Sequence, residues 1–244
     1  MISTVQNAGQ VYTPAVAVGS MGWDVRRWTG MIGLAWVVIQ VASVVLFLTA
    51  GSPPAFSDGK QYAAWIDANS SALLGDGFLT VVASLVLLAV FAGLRSIIKN
   101  AGPEFEGVAA LFFGAGTVTA TILIVAQSVQ AGVTFISGPN VEPAPMLAVY
   151  AVGQILLNFV YFAAAMTLGI AGYAVIKAGI LPRWVAYLSG VCAVLDLLAG
   201  LTIFGGTGSY GPFGLLPLLL GSLPVFVWFL VVSLVLVRSS RPVA

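Results

Sequence analysis

The chain contains no histidine and a single cysteine among its 244 residues. Without histidine there is no imidazole to bind a metal or a haem iron, and none to activate a serine or cysteine nucleophile. The lone Cys192 can form neither an intrachain disulfide nor a thiolate metal cluster. The sequence therefore predicts no metal and no cofactor, and it disfavours the common nucleophilic enzymes.

Charged residues are also scarce, at 7% of the chain, and the net charge is only +1. No basic stripe is present, so the sequence does not indicate a nucleic acid partner. Hydrophobic residues make up 60% of the chain, and the mean hydropathy is +1.07. This composition is typical of a protein whose main partner is the lipid bilayer.

Long apolar runs recur along the sequence, and each is long enough to cross a bilayer. A hydrocarbon core about 30 Å thick needs about 20 mostly apolar residues in a helix. Six such spans are predicted, at residues 29–50, 71–94, 108–136, 147–176, 181–204 and 215–237. We therefore expect one all-α domain over residues 1–244, built as a polytopic six-helix transmembrane bundle.

The basic residues indicate how these spans are oriented. Eight of the nine fall in segments that share one side of the membrane: Arg26, Arg27, Arg95, Lys99, Lys177, Arg183, Arg238 and Arg241. Only Lys60 falls on the other side. Because basic residues near span ends are retained in the cytoplasm, we expect both termini to be cytoplasmic, with residues 1–22 as a cytoplasmic tail. The expected location is a bacterial cytoplasmic (inner) membrane.

The connection after the first span is expected to hold a short helix. Pro53 and Pro54 would end the first span, and Tyr62 and Trp65 then alternate with polar residues such as Lys60. This pattern is typical of a helix lying in the membrane interface. Tyr62 and Trp65 are candidate lid residues, and a simple spacer that packs on the bundle explains the same pattern.

Polar residues inside the spans are the candidate functional residues, because each is costly to bury in hydrocarbon. Two are acids: we expect Asp76 about 8 Å and Asp196 about 12 Å below the outer surface, at 1.5 Å per residue. Residues three or four apart share a helix face. The candidates at the same depth are two amides in the third span and a phenol with two amides in the fourth: Gln127, Gln130, Tyr150, Gln154 and Asn158.

This shared depth has two explanations. The first is an outward-facing polar cavity that is walled by spans two to five and binds a small or lipidic ligand. The second is structural, because amides and carboxyls commonly hydrogen-bond between membrane helices without any ligand. Convergence on a void of about 300 Å³ or more would favour the binding site, whereas direct pairing without a void would favour the structural role.

Two intramembrane aspartates could also indicate an aspartyl protease, in which two carboxylates that share a proton catalyse proteolysis. However, Asp76 stands in the sequence Leu73-Leu74-Gly75-Asp76-Gly77, which lacks the first glycine of the Gly-x-Gly-Asp signature of those proteases. Asp196 lacks the preceding tyrosine. The chain is therefore predicted not to be an enzyme.

Two segments resemble a bacterial family of uncharacterised multi-span membrane proteins, known as a domain of unknown function. One is Ala64-Trp65-Ile66-Asp67-Ala68-Asn69, which leads into Asp76 and ends at Leu94-Arg95. The other is the turn Lys177-Ala178-Gly179-Ile180-Leu181-Pro182-Arg183-Trp184, followed by Gly190. The resemblance implies a six-helix bundle, and it implies no activity.

The function predicted first from the sequence is that of a non-catalytic membrane subunit or accessory protein, which packs against other membrane protein chains. The alternative is binding or transport of a small or lipidic ligand through the polar cavity. The two differ in whether the polar residues enclose a space.

Overall fold

The computed structural model describes residues 24–54, 56, 58–138, 140–206, 210–211 and 214–239. The predicted cytoplasmic tail, residues 1–22, lies outside the described residues. The helices are α1 (Val25–Thr49), α2 (Gly59–Ala68), α3 (Ser70–Lys99), α4 (Glu106–Ile136), α5 (Pro143–Ala178), α6 (Arg183–Leu201), α7 (Leu215–Pro217) and α8 (Leu223–Ser239). A π-helical segment, Leu218–Ser222, joins α7 to α8.

Six of these helices are long and apolar enough to cross a membrane: α1, α3, α4, α5, α6 and the π segment with α8. Short 3₁₀ turns extend α4 at its start and α6 at its end. The prediction of an all-α, six-helix bundle is therefore confirmed, and the chain has the architecture of a multi-pass membrane protein.

The six long helices pack in a ring. Along the chain, α1 packs on α3, α3 on α4, α4 on α5 and α5 on α6, and α8 completes the ring by packing on both α6 and α1. The α1–α8 contact depends on glycine: a Cβ at Gly30 would lie only 2.7 Å from the Ser233 carbonyl oxygen. In this order α3 and α6 lie on opposite sides of the ring.

One end of the bundle, here called the basic end, holds the start of α1 and the turn between α5 and α6. Asp24 caps α1 by accepting hydrogen bonds from the backbone nitrogens of Arg26 and Arg27. Gly179 ends α5 with a φ of 61°, a conformation that glycine adopts without strain. The Arg26 guanidinium then donates to the Ile180 carbonyl at 3.0 Å, which ties α1 to this turn.

The opposite end, here called the α2 end, is covered by the predicted short helix. Asp58 caps α2 by accepting a hydrogen bond from the Gln61 backbone nitrogen. Tyr62 and Ile66 are buried against the bundle, and the Trp65 indole donates to the Ala50 carbonyl at 2.9 Å. The helix itself is confirmed, and its location in a membrane interface stays a prediction.

The apolar core is divided into two clusters. The larger includes Phe91, Phe112 and Trp228 from three different helices. The smaller lies at the α2 end and includes Ile66 and Tyr150. Most of the polar residues predicted from the sequence line a cavity among the helices, and the exception, Asp196, is buried on α6.

Candidate functional site

A cavity of about 610 Å³ lies within the ring. Its wall comes from α1, α3, α4, α5, the π segment and α8, and Tyr62 of α2 contributes at one end. Helix α6 provides none of the lining residues. The predicted wall of spans two to five is thus corrected, because spans one and six replace span five.

The cavity gathers most of the candidates that were predicted from the sequence. Six of the seven proposed ligand-binding residues and one of the two proposed lid residues line it: Asp76, Gln127, Gln130, Tyr150, Gln154, Asn158 and Tyr62. They come from four different helices, so the predicted depth and helix faces were sufficient to identify them. Their role in binding stays a prediction.

Asp196 and Trp65 do not line the cavity, and their predicted placement is corrected. Asp196 is completely buried, and among the described residues neither of its carboxyl oxygens has a hydrogen-bond partner. Trp65 instead holds α2 in place through its bond to Ala50. Because Asp196 lies on α6, opposite Asp76 on α3, the two carboxyls are not paired in one cavity.

The cavity is polar toward the α2 end and apolar toward the basic end. Along α3, for example, Asp76 and Thr80 come first and Leu87 and Phe91 follow. Helices α4 and α5 likewise carry their lining amides toward the α2 end. The separation is not complete, because the Thr119 and Thr167 hydroxyls line the basic end and Phe47 lines the α2 end. The apolar half is completed by Trp36, Leu123, Ala164, Leu168, Val225, Phe226 and Phe229. The distribution of side chains along the cavity therefore fits an amphipathic ligand, with its polar end toward α2 and its apolar end toward the basic end.

Asp76 is held by hydroxyl groups. The Ser43 hydroxyl donates to one carboxyl oxygen of Asp76, and it also lies 2.8 Å from the Thr80 hydroxyl. Among the described residues that line the cavity there is no Lys, Arg or Glu. Asp76 is thus the one acid in this lining, and no basic side chain opposes it there.

Part of the polar wall is held by hydrogen bonds within the protein. The Gln154 amide donates to the Tyr150 hydroxyl at 3.3 Å, and the Asn158 amide donates to the Gln154 carbonyl at 3.2 Å. The Thr202 hydroxyl donates to the Asn158 side-chain oxygen at 3.1 Å. The first two bonds lie within α5, and the third joins α5 to the 3₁₀ turn at the end of α6, as the structural explanation requires.

Two other amides on the cavity wall have a polar atom without a partner. Gln40 Oε1 and Gln130 Nε2 are buried, and neither forms a hydrogen bond with any described residue. An unsatisfied buried polar atom costs about 1–3 kcal/mol. A ligand with its own donors and acceptors would remove that cost, so these amides favour an occupied cavity.

Several lining residues were not identified from the sequence. Gln40, in the middle of the first span, is not among the candidates predicted from the sequence, yet it lines the cavity. Hydroxyl pairs were missed as well, including Tyr161 with Ser222 at 3.2 Å. Ser and Thr hydroxyls in membrane helices often hydrogen-bond to backbone carbonyls of their own helix. Their presence in a span therefore does not indicate a binding site.

Tyr62 closes the α2 end of the cavity. Its ring lies 5.6 Å from that of Tyr150, and its phenol is hydrogen-bonded to Tyr150. Burial raises the pKa of the Tyr62 phenol, and Tyr150 raises this pKa further. The phenol therefore stays protonated at neutral pH.

No protein-family model, curated protein or solved structure matches this chain. The resemblance to a bacterial family of unknown function stays a prediction. Within the described part of the chain, no group of three or more potential metal ligands of the Cys, Asp and Glu types comes together. The functional argument therefore depends on the geometry of the cavity.

Proposed function

We propose that the protein binds a small amphipathic molecule in the central cavity, either as a receptor or as the binding step of transport. The observation that carries this proposal is the cavity of about 610 Å³ with one polar and one apolar half. Small-molecule sites usually enclose about 300–1,000 Å³, with mostly apolar walls and a few polar groups. Both its size and its lining fit that description.

The alternative, an accessory subunit whose polar residues only join helices, explains less of this geometry. It accounts for the bond between Asn158 of α5 and Thr202 at the end of α6. It does not account for the space, because packed protein interiors leave few voids larger than a water molecule. It also leaves Gln40 and Gln130 unsatisfied. The subunit function and the cytoplasmic location of the termini stay predictions.

The test is native mass spectrometry of the protein gently extracted from its native membrane. We expect a retained small molecule on the wild-type chain and its loss from Leu123→Trp, because Leu123 lines the cavity and the larger indole would project into the space that the molecule occupies. The matched control is Leu111→Trp on the same helix, where Leu111 is 52% exposed on the outer surface. This control should retain the molecule.

Two results would contradict the proposal. One is a stoichiometric partner chain with an empty cavity, which would favour the accessory-subunit function. The other is equal retention by Leu123→Trp and Leu111→Trp, which would place the molecule on the outer surface of the bundle rather than inside it.

A further inference from the structure

We propose that the ligand is an organic cation, with Asp76 as its counter-ion; this inference rests on the proposed function. The positive group would be an ammonium or another onium group. It would lie in the polar half of the cavity, while the apolar body of the molecule would extend toward Phe91 and Phe229.

The charge of the lining carries this inference. Asp76 accepts a hydrogen bond from Ser43, but hydroxyl groups do not neutralise a carboxylate. None of the described residues lining the cavity is basic. An acid inside a membrane protein is costly and is usually paired, and a buried charge without a partner is strongly unfavourable. A bound cation would supply the missing charge.

Aromatic rings provide a second and independent reason. Phe47, Tyr62 and Tyr150 line the same half of the cavity as Asp76, and Trp36 and Phe226 line the other half. A cation over the face of such a ring gains about 0.5–2 kcal/mol, and the larger values occur where water is excluded. Rings beside one carboxylate and several amides therefore suit a bulky onium group.

The same lining selects against an anionic group. A phosphate or sulfate would lie near Asp76, and no described lining residue is basic enough to offset that repulsion. A zwitterionic phospholipid would bring a phosphate into the cavity together with its amine, so the same repulsion from Asp76 would disfavour it. A soluble organic cation and an amino-lipid headgroup share the positive group, and the test below separates these two sources.

The test measures binding of two probes of nearly the same shape and opposite charge, tetraphenylphosphonium and tetraphenylborate. Binding to nanodiscs that contain the protein is compared with binding to empty nanodiscs of the same lipids by equilibrium dialysis. We expect the wild-type chain to bind the phosphonium and not the borate. Asp76→Asn should weaken phosphonium binding by about tenfold or more, since it removes the charge and keeps the shape.

Two further variants complete the design. Asp67→Asn removes an exposed acid of α2 at the same end of the bundle, so it should leave the affinity unchanged. Leu123→Trp should weaken phosphonium binding strongly, because the indole would project into the cavity that Leu123 lines. Adding sphingosine, an amino-lipid without a phosphate, to the nanodiscs separates the two sources: competition with the phosphonium would support an amino-lipid cation, and its absence would support a soluble one.

The contrary results distinguish the inference from the proposed function. If Asp76→Asn binds the phosphonium as well as the wild type does, and Leu123→Trp does not bind it, the cavity is a binding site and the charge inference is wrong. Binding of the borate alone leads to the same conclusion. If the wild-type chain binds neither probe, both the inference and the proposed function are overturned.

Discussion

Burial of the single Asp196 side chain lowers the stability of the folded protein. It is 0% exposed, and its two carboxyl oxygens have no hydrogen-bond partner among the described residues. The neighbouring position Cys192 forms a weak bond from its thiol to the Pro224 carbonyl at 3.5 Å, so α6 is packed closely against α8 here. A buried carboxyl in such surroundings destabilises the folded chain.

We therefore predict that Asp196→Asn stabilises the protein. The amide has nearly the same size, and it is cheaper to bury than a carboxyl that can carry charge. The expected gain is about 1–3 kcal/mol in the free energy of unfolding, measured by thermal unfolding in detergent. The exposed Asp67→Asn variant is the control and should differ from the wild type by less than about 0.5 kcal/mol. A marked loss of stability in Asp196→Asn would show that this carboxyl is paired in the folded protein.

Single residues also show where sequence reasoning succeeds and where it stops. Gln127 with Gln130, and Gln154 with Asn158, were placed on common faces because helical spacing alone determines this. The spacing does not show which face of α6 packs against the neighbouring helices, because apolar residues occur on every face of α6. Asp196 was therefore assigned to the cavity, while the structure places it in the packed core.

At the scale of helices, the α1–α8 contact closes the ring around the cavity. Gly30 and Gly33 of α1 meet Ser233 of α8, and a Cβ on Gly30 would come within 2.8 Å of a Val237 methyl group and 3.0 Å of its backbone nitrogen. Backbone atoms cannot rotate away as a side chain can. Small residues at such contacts let membrane helices approach closely, so Gly30 sets the distance between α1 and α8.

We predict that Gly30→Ala weakens this contact and lowers the free energy of unfolding by about 1–3 kcal/mol, the usual cost of overpacking. The measurement is thermal unfolding in detergent. The matched control is Gly114→Ala on α4, where a Cβ would have no neighbour within 4 Å. This control should be neutral or slightly stabilising, because alanine favours a helix more than glycine does. Equal effects of the two substitutions would contradict the role assigned to Gly30.

The last span was predicted as one helix over residues 215–237. In the structure, Pro217 precedes the π segment Leu218–Ser222 and Pro224 follows it. Gly221 lies against Tyr161, and any Cβ there would collide with the ring. The helix could be predicted from its length and apolar composition. The π segment could not, because it depends on how α8 fits against α5 and α6.

At the scale of the whole molecule, the length and hydropathy of the runs were sufficient to predict six spans and their order. The ring arrangement was not predictable, since nearly uniform apolar helices carry little information about their neighbours. The charges of the basic end agree with cytoplasmic termini by the usual rule, and this orientation stays a prediction. The order of helices in the ring determines which of them line the cavity. Because this order was not predicted, the wall of the cavity differs from the expected one.

The most direct test of the proposed binding site is a cryo-electron microscopy map of the wild-type protein in nanodiscs formed with its native lipids. The proposal predicts non-protein density within the ring, with one end near Asp76 and Gln130 and the other near Phe91. A ring that is closed around directly paired Gln40 and Gln130 side chains, with no space between α1 and α4, would contradict it.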